Sequence, residues 1–494
     1  MDTPAKTRVV IAGGGTAGWL AAALFMRQLR PLVDVVLVES EEIGTVGVGE
    51  ATIPTVQAFH ALIGVDEREF MAATGATFKL GIAFEGWART DDRYIHSFGD
   101  VGRATWMGDF QHFWLEAQAN GDAGPFSDYC LELQAAEAGR FATGQTGRRL
   151  NHAYHFDAGR YAKYLRARCE AAGLTRREGR IARVDRDPGT GHITALALDD
   201  GSRVEGDIFL DCTGFRGLLI GDTLGVGYED WGHWLPADRA LAVQTTSVEP
   251  ARPYTRAIAH DAGWQWRIPL QNRIGNGHVY SSRHLSDDAA AAALTGWLEG
   301  EAMAEPQLLR VRAGRRTRAW AGNCVALGQA AGFLEPLEST SLALIQSGIE
   351  RLLALLPDRG CAPALADEYN RVTALEHERL RDFLVLHYAA NARHGEAFWD
   401  ERRDTALPPM LAHKLRLFRA RGHLVQYDGE TFGDSSWLSL YAGLGVEAAA
   451  HDPMADHFSV DDVQAAITRM KASIADTVAL AEPHEAFLAR AVRD

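Results

Sequence analysis

The chain has 494 residues, 47% of them hydrophobic and 23% charged, with a formal net charge of −15. That length exceeds one ordinary core, so one large composite domain or two domains are expected. The acidic balance argues against nucleic acid, because no basic surplus is available to neutralise phosphates. Cys130, Cys169, Cys212, Cys324 and Cys361 are scattered without any Cys-x-x-Cys spacing, which speaks for a reducing, cytoplasmic setting and against a disulfide framework or structural zinc. The apolar run Val9 to Ala12 leads straight into glycines, unlike a signal peptide. No apolar stretch reaches membrane-spanning length, so a soluble protein with no membrane partner is expected.

Arg8 to Ala12 reads as a short buried strand, followed by a glycine turn and a helix from Ala17 to about Leu29. Val33 to Val38 reads as a second strand ending at Glu39. Within this βαβ opening, Gly13-x-Gly15-x-x-Gly18 places backbone N–H groups, with Thr16 and Ala17, at a helix start facing a pyrophosphate. Glu39 by itself would be a solvated strand end; about 20 residues beyond the glycines it stands where ribose hydroxyls bind. Gly47 to Pro54 is either a surface turn ahead of a helix or a strap against the cofactor's ring system, where Gly49 and Ala51 allow close approach.

From Ile181 to Cys212 the pattern changes to short β-branched runs, broken at Asp187-Pro188-Gly189-Thr190-Gly191 and Asp199-Asp200-Gly201. Asp207 to Gly217 reads as a strand entering a loop, and Leu241 to Tyr280 as a further β-rich region. That region holds Trp264-x-Trp266-x-Ile268-Pro269, which taken alone could be two core tryptophans on one strand face. Val325 to Gly332, with Gly328, reads as a strand-to-helix turn near the cofactor. After Ser339 the chain becomes mostly helical, with apolar residues at helical spacing over Leu342 to Leu356 and Ala364 to Tyr388. The expected architecture is α/β: a Rossmann-like nucleotide-binding fold of the aromatic hydroxylase type, a β-rich substrate region and a mostly helical C-terminal part. A soft division places a cofactor module with interwoven substrate segments at 1–340 and a helical substrate-covering region at 341–494.

The glycine fingerprint, Gly47 to Pro54, Lys79, His96-Ser97-Phe98-Gly99, Tyr154-His155-Phe156-Asp157, Asp211 to Leu219, Trp264 to Pro269 and Phe333 to Ser341 occur in one order. Together they resemble the flavin-dependent tryptophan halogenases, weakly continued through Ala442-Gly443-Leu444-Gly445. The resemblance implies FAD, used as FADH2 from a separate flavin reductase. It also implies a chloride or bromide ion converted to hypohalous acid, which travels through a tunnel to a small aromatic substrate. Leu342 would adjoin the flavin, and a homodimer is what the family suggests.

Lys79 matches the family's tunnel lysine, whose ammonium can hydrogen-bond hypohalous acid or carry the halogen as a haloamine. Phe78, Leu80 and Ile82 surround it with apolar residues, and burial favours a neutral, nucleophilic amine. The plain alternative is a surface lysine that snorkels. Glu338 matches the family's carboxylate at the halogenating end, suited to orient the oxidant or take a proton from the cationic arene. Thr340 and Ser341 open a helix and are assigned to halide through its N–H groups and positive dipole end. Plain helix capping is the alternative use of Ser339-Thr340-Ser341. The tryptophan enzymes usually carry Gly at the Ser341 position.

At the substrate end, His96 and Phe98 match a pair that packs on the indole, while Trp437 and Leu438 stand where those enzymes carry Tyr-Tyr. No charged side chain lies between Trp437 and Gly445, so a less polar indole or another arene is favoured over zwitterionic tryptophan. Trp106, Trp114 and Trp437 are candidate pocket walls, Asp157 is a helix cap, and His451 and His457 are not read as metal ligands. Two other functions compete. A single-component aromatic hydroxylase would use NAD(P)H directly, although Gln329 stands where that class commonly carries Asp. A non-catalytic flavoprotein would bind FAD without halide-dependent product.

Overall fold

The strand Thr7–Ala12 is buried from Val9 onward because it lies in the interior of a six-stranded sheet. In a computed structural model, which describes residues 6–42, 49–105, 108–121, 123–144 and 148–493, this strand pairs in parallel with Val33–Glu39 and Ile208–Asp211. Thr175–Glu178 and Cys324–Ala326 continue the sheet in parallel on either side, and Trp320–Ala321 closes one edge antiparallel. Parallel strands covered by helices need continuous apolar runs, as Val9-Val10-Ile11-Ala12 supplies. The helix Thr16–Gln28 packs on Ala158–Ala171 and Ser341–Ala354, and a three-stranded meander, Ile181–Arg186, Ile193–Leu198 and Arg203–Glu205, follows the two turn signals. Asp157 caps the helix Ala158–Ala171 by accepting from the Arg160 N–H.

The chain forms two units, each assembled from three segments. The nucleotide-type sheet belongs to Met1–Ala76, Phe156–Gly232 and Val311–His377; the other unit comprises Thr77–His155, His233–Arg310 and Glu378–Asp494. The second unit is built on a seven-stranded sheet in which Arg239–Thr245, Ile274–Tyr280, Gly263–Pro269 and Thr255–His260 are consecutive antiparallel neighbours. Thr255–His260 then pairs in parallel with Gly81–Glu85, which pairs with Arg93–Ser97. Trp264 and Trp266 lie on the same face, both buried, and a Cβ on Gly277 would come within 2.0 Å of the Trp266 ring. Their packing is therefore that of core residues, with Gly277 supplying the space for the second indole.

Four histidines, His60, His260, His278 and His484, are pushed by burial from 6.5 down to about 4. Their folded-state values lie below the unfolded one, so the unfolded chain binds more protons between those limits. Stability is complete above about 6.5 and is lost as pH falls toward 4, each site contributing up to about 1.4 kcal/mol per pH unit. The Tm followed by circular dichroism should drop progressively from pH 6.5 to 4.5. A constant Tm over that interval would contradict neutral burial of these imidazoles.

Candidate active site

The nucleotide cradle is set by what the glycines exclude. Gly13 has φ 111°, and a Cβ there would come within 2.3 Å of the Cys212 carbonyl oxygen; one on Gly18 would lie 2.0 Å from that of Gly13. At Gly15, the residue before the helix Thr16–Gln28, a Cβ would meet nothing within 4 Å, so the space beside the helix start is open. A close-approaching backbone and open space at a helix start are what a pyrophosphate would require, so these residues are compatible with the nucleotide end of FAD. Gly328, with φ +61°, brings its backbone against the helix start; a Cβ would sit 3.1 Å from that of Ala17. Ala51, in the strand Gly49–Ala51, and Leu342 are buried, whereas Gly47 and Val48 lie outside the described residues.

Glu39 ends its strand with Oε1 paired to Arg176 Nε at 2.5 Å and Arg166 at 3.4 Å, and Oε2 accepting from Trp19 Nε1 at 3.3 Å. Sequence does not mark the two arginines, because their helix and strand reach Glu39 only through tertiary packing. Asp211, fully buried, accepts from the N–H groups of Thr213, Leu219 and Ile220 and knits the loop after its strand. After Cys324–Ala326 the chain makes one tight turn, Gly328–Ala330, and not the expected helix. Gly332 and Phe333 pair with Gly314–Arg316, which draws the segment back into a strand.

Glu338 closes the turn Pro336–Glu338 and is fully buried. Ser339 follows with φ 59°, a left-handed conformation uncommon for a residue with a side chain. Thr340 precedes the helix Ser341–Ala354 but makes no side-chain cap. Its ψ of −8° is helical, whereas a capping residue adopts an extended backbone that lets its oxygen reach the next amides. The Thr340 Oγ1 is buried with no hydrogen-bond partner, so plain capping does not account for it. That hydroxyl and a helix start form an environment suited to a small anion.

In the second unit, Thr77–Lys79 pairs antiparallel with Ala153–Asp157, Lys79 opposite Ala153 and Thr77 opposite His155. Lys79 is fully buried, which removes the snorkelling alternative. Its Nζ lies 5.1 Å from the centroid of the Phe98 ring. Phe98 in turn lines a cleft of about 290 Å³ with Ser97, Gly99, Asp100, Gly433, Asp434, Ser435 and Ser436. That volume is near the lower end of small-molecule sites, roughly 300–1,000 Å³.

The other expected substrate residues lie elsewhere. His96 packs on Phe383 and Phe432, and Trp437 meets Phe383 edge-on at 4.9 Å with the Lys414 ammonium 4.3 Å from its ring centroid. Leu438 is buried beside Trp437; the preceding residues Ser435 and Ser436 reach the cleft. Trp114 donates to the Gly124 carbonyl, and Trp106 lies outside the described residues. Sequence does not mark Asp100 or Asp434, each one acidic residue among many; Asp434 opens the helix Asp434–Gly443. His451 bonds Asp456, and among the described residues no group of His, Cys, Asp and Glu is arranged to hold a metal ion. Among them, too, no helix is long and apolar enough to cross a membrane.

Residues 8–460 match the family described as Tryptophan halogenase. A tryptophan 6-halogenase of Streptomyces toxytricini is 35% identical, the match covering 85% of each chain. A tryptophan 7-halogenase of Lentzea aerocolonigenes is 31% identical over 95% of this chain and 96% of its own. Among solved structures, a flavin-dependent halogenase from Xanthomonas campestris superposes with TM-score 0.96 at 51% identity over 98% of both chains. Another, from Brevundimonas sp. BAL3, gives TM-score 0.95 at 46% identity, covering 99% of this chain and 100% of that one.

Proposed function

This chain belongs to the tryptophan halogenase family, and from that premise we propose that it attaches chloride or bromide to an indole or another electron-rich arene, using Lys79 and Glu338. Reduced FAD, renewed by a separate flavin reductase, supplies with oxygen the oxidising equivalent that turns halide into hypohalous acid. Gly13, Gly15 and Gly18 admit the pyrophosphate, and Glu39 receives the ribose hydroxyls. Thr340 and the helix start at Ser341 hold the halide. Lys79 receives the oxidant and presents it to the arene; Glu338 takes the proton released from the ring carbon. The observation that carries this reading is the shared Phe98 ring. The buried Lys79 Nζ lies 5.1 Å from its centroid, and the same ring lines an arene-sized cleft.

The substrate class follows from charge. Asp100 and Asp434 are the two charged residues among the eight described residues that line the cleft, and that lining holds no lysine or arginine to pair with a substrate carboxylate. A zwitterionic amino acid would place like charges together, whereas an indole brings an N–H donor and no carboxylate. With reductase, FAD and NADH present, indole should be halogenated with a kcat/KM at least about tenfold above tryptophan, a difference of about 1.4 kcal/mol. Mass spectrometry in separate chloride and bromide buffers reads the products and ranks the halides. Equal or faster turnover of tryptophan would overturn the substrate assignment.

A further inference from the structure

We infer that Thr77 and His155 are positioning residues that tie the Trp264-x-Trp266-x-Ile268-Pro269 strand to the strand of Lys79, so that the oxidant passes to the arene and does not escape. The inference rests on the oxidant-handling role proposed above for Lys79. His155 is fully buried, and both ring nitrogens are engaged: Nδ1 with Thr77 Oγ1 at 2.9 Å, Nε2 with Thr255 Oγ1 at 3.0 Å. Thr77 has a single hydroxyl proton, which it donates to the Pro269 carbonyl at 2.7 Å. It must therefore accept from His155 Nδ1–H, and the bare Nε2 accepts from the Thr255 hydroxyl. The donors of Thr77, His155 and Thr255 are thus assigned. Burial first, and the Lys79 charge second, push His155 well below the usual imidazole range, consistent with this neutral tautomer.

The register shows why this matters for Lys79. Thr77 and Lys79 are two apart on one strand, so their side chains share a face; His155 opposite Thr77 lies on that same face. The strand is only three residues long, and a one-residue slip would turn Lys79 to the opposite face. Apolar residues at 77, 155 and 255 could fill the same volume without fixing register. A buried polar network tolerates one arrangement only, since displacement leaves costly unpaired groups. Pro269, the last residue of the tryptophan-containing strand, is one anchor, and Thr255 in the adjacent strand is the other. The Leu80 N–H donating to the Pro253 carbonyl at 2.7 Å adds a third tie directly beside Lys79.

The experiment measures how the oxidant is divided between the arene and a soluble 1,3-diketone trap for free hypohalous acid, using the full chain with FAD, reductase, NADH and bromide. Thr77→Val keeps shape but removes the hydroxyl. It should lower the ratio of halogenated arene to halogenated trap about tenfold, with total oxidant output within about twofold of wild type. Thr77→Ser, which retains the hydroxyl, should restore the wild-type ratio. A structural weakening alone would lower Tm and total output together and leave the ratio unchanged; that result overturns the inference. Should Thr77→Val fail to fold, Thr255→Val removes the other end of the network and is expected to move the ratio in the same direction, with an unmoved ratio again overturning it. Lys79→Met in parallel separates the two claims. A wild-type ratio in Lys79→Met refutes the role of Lys79, whereas a shifted ratio there with an unmoved one in Thr77→Val refutes only the coupling.

Discussion

Replacing Lys79 by methionine should lower arene halogenation by roughly 10²–10⁴-fold in kcat, with FAD affinity, read by fluorescence quenching, within about twofold of wild type. Methionine is the informative choice because Lys79 is fully buried, and alanine would add a cavity cost of about 2–5 kcal/mol to the loss of the amine. Lysine and arginine then distinguish two ways of handling the oxidant. An arginine retains N–H donors that can hydrogen-bond hypohalous acid, but its guanidinium does not deprotonate to carry the halogen as an amine would. Residual activity in Lys79→Arg well above that of Lys79→Met would favour hydrogen bonding. Equal inactivity in both, with the fold retained, would favour a haloamine. Near-wild-type turnover in Lys79→Met would remove this lysine from the chemistry.

The elements that could be read from sequence are those whose signal is local. The opening strand, glycine turn, helix and second strand fall where Val9 to Glu39 place them, because buried parallel strands need apolar runs and the turn needs Gly13. The helices Ser341–Ala354 and Pro363–Ala389 follow from apolar spacing in the same way. The segment after Cys324–Ala326 could not be read so. Its small residues suit a helix start equally well, and the antiparallel pairing of Gly332 and Phe333 with Gly314–Arg316 depends on a strand elsewhere in the chain. The parallel pairing of Thr255–His260 with Gly81–Glu85 is likewise a long-range contact that no window of sequence contains.

The candidate site divides along the same line. Lys79 in an apolar run and Glu338 in an acidic turn are each ambiguous as sequence, and the family resemblance is what singled them out. Burial of both side chains is a tertiary property. Thr340 could cap or bind an anion, and its helical ψ and unpartnered buried hydroxyl, neither visible in sequence, speak against capping. Arg166 and Arg176 around Glu39, and Asp100 with Asp434 in the cleft, unite residues from separate elements whose local patterns are those of ordinary exposed charges. Trp437 shows the reverse: a large aromatic near a substrate motif packs on Phe383, while the smaller Ser435 and Ser436 face the space.

Glu338→Gln should reduce kcat by roughly 10²–10⁴-fold while KM for the arene changes by less than about threefold. Glutamine matches glutamate in size, so the fully buried position stays filled and the principal loss is a carboxylate able to accept a proton. Ser339 supplies the control. Its φ of 59° follows directly after Glu338, so a disturbed backbone there could imitate a lost base. Ser339→Gly adopts that conformation without strain and should leave kcat within about threefold of wild type. A large loss in Glu338→Gln together with activity in Ser339→Gly locates the effect in the carboxylate and not in the turn. Substrate deuterated at the reacting carbon then tests the step itself. If Glu338 removes that proton, slowing its transfer should make it rate-limiting, and Glu338→Gln should show a kinetic isotope effect larger than wild type. Wild-type kcat in Glu338→Gln would instead require the proton to leave by another route, with the buried carboxylate serving the turn alone.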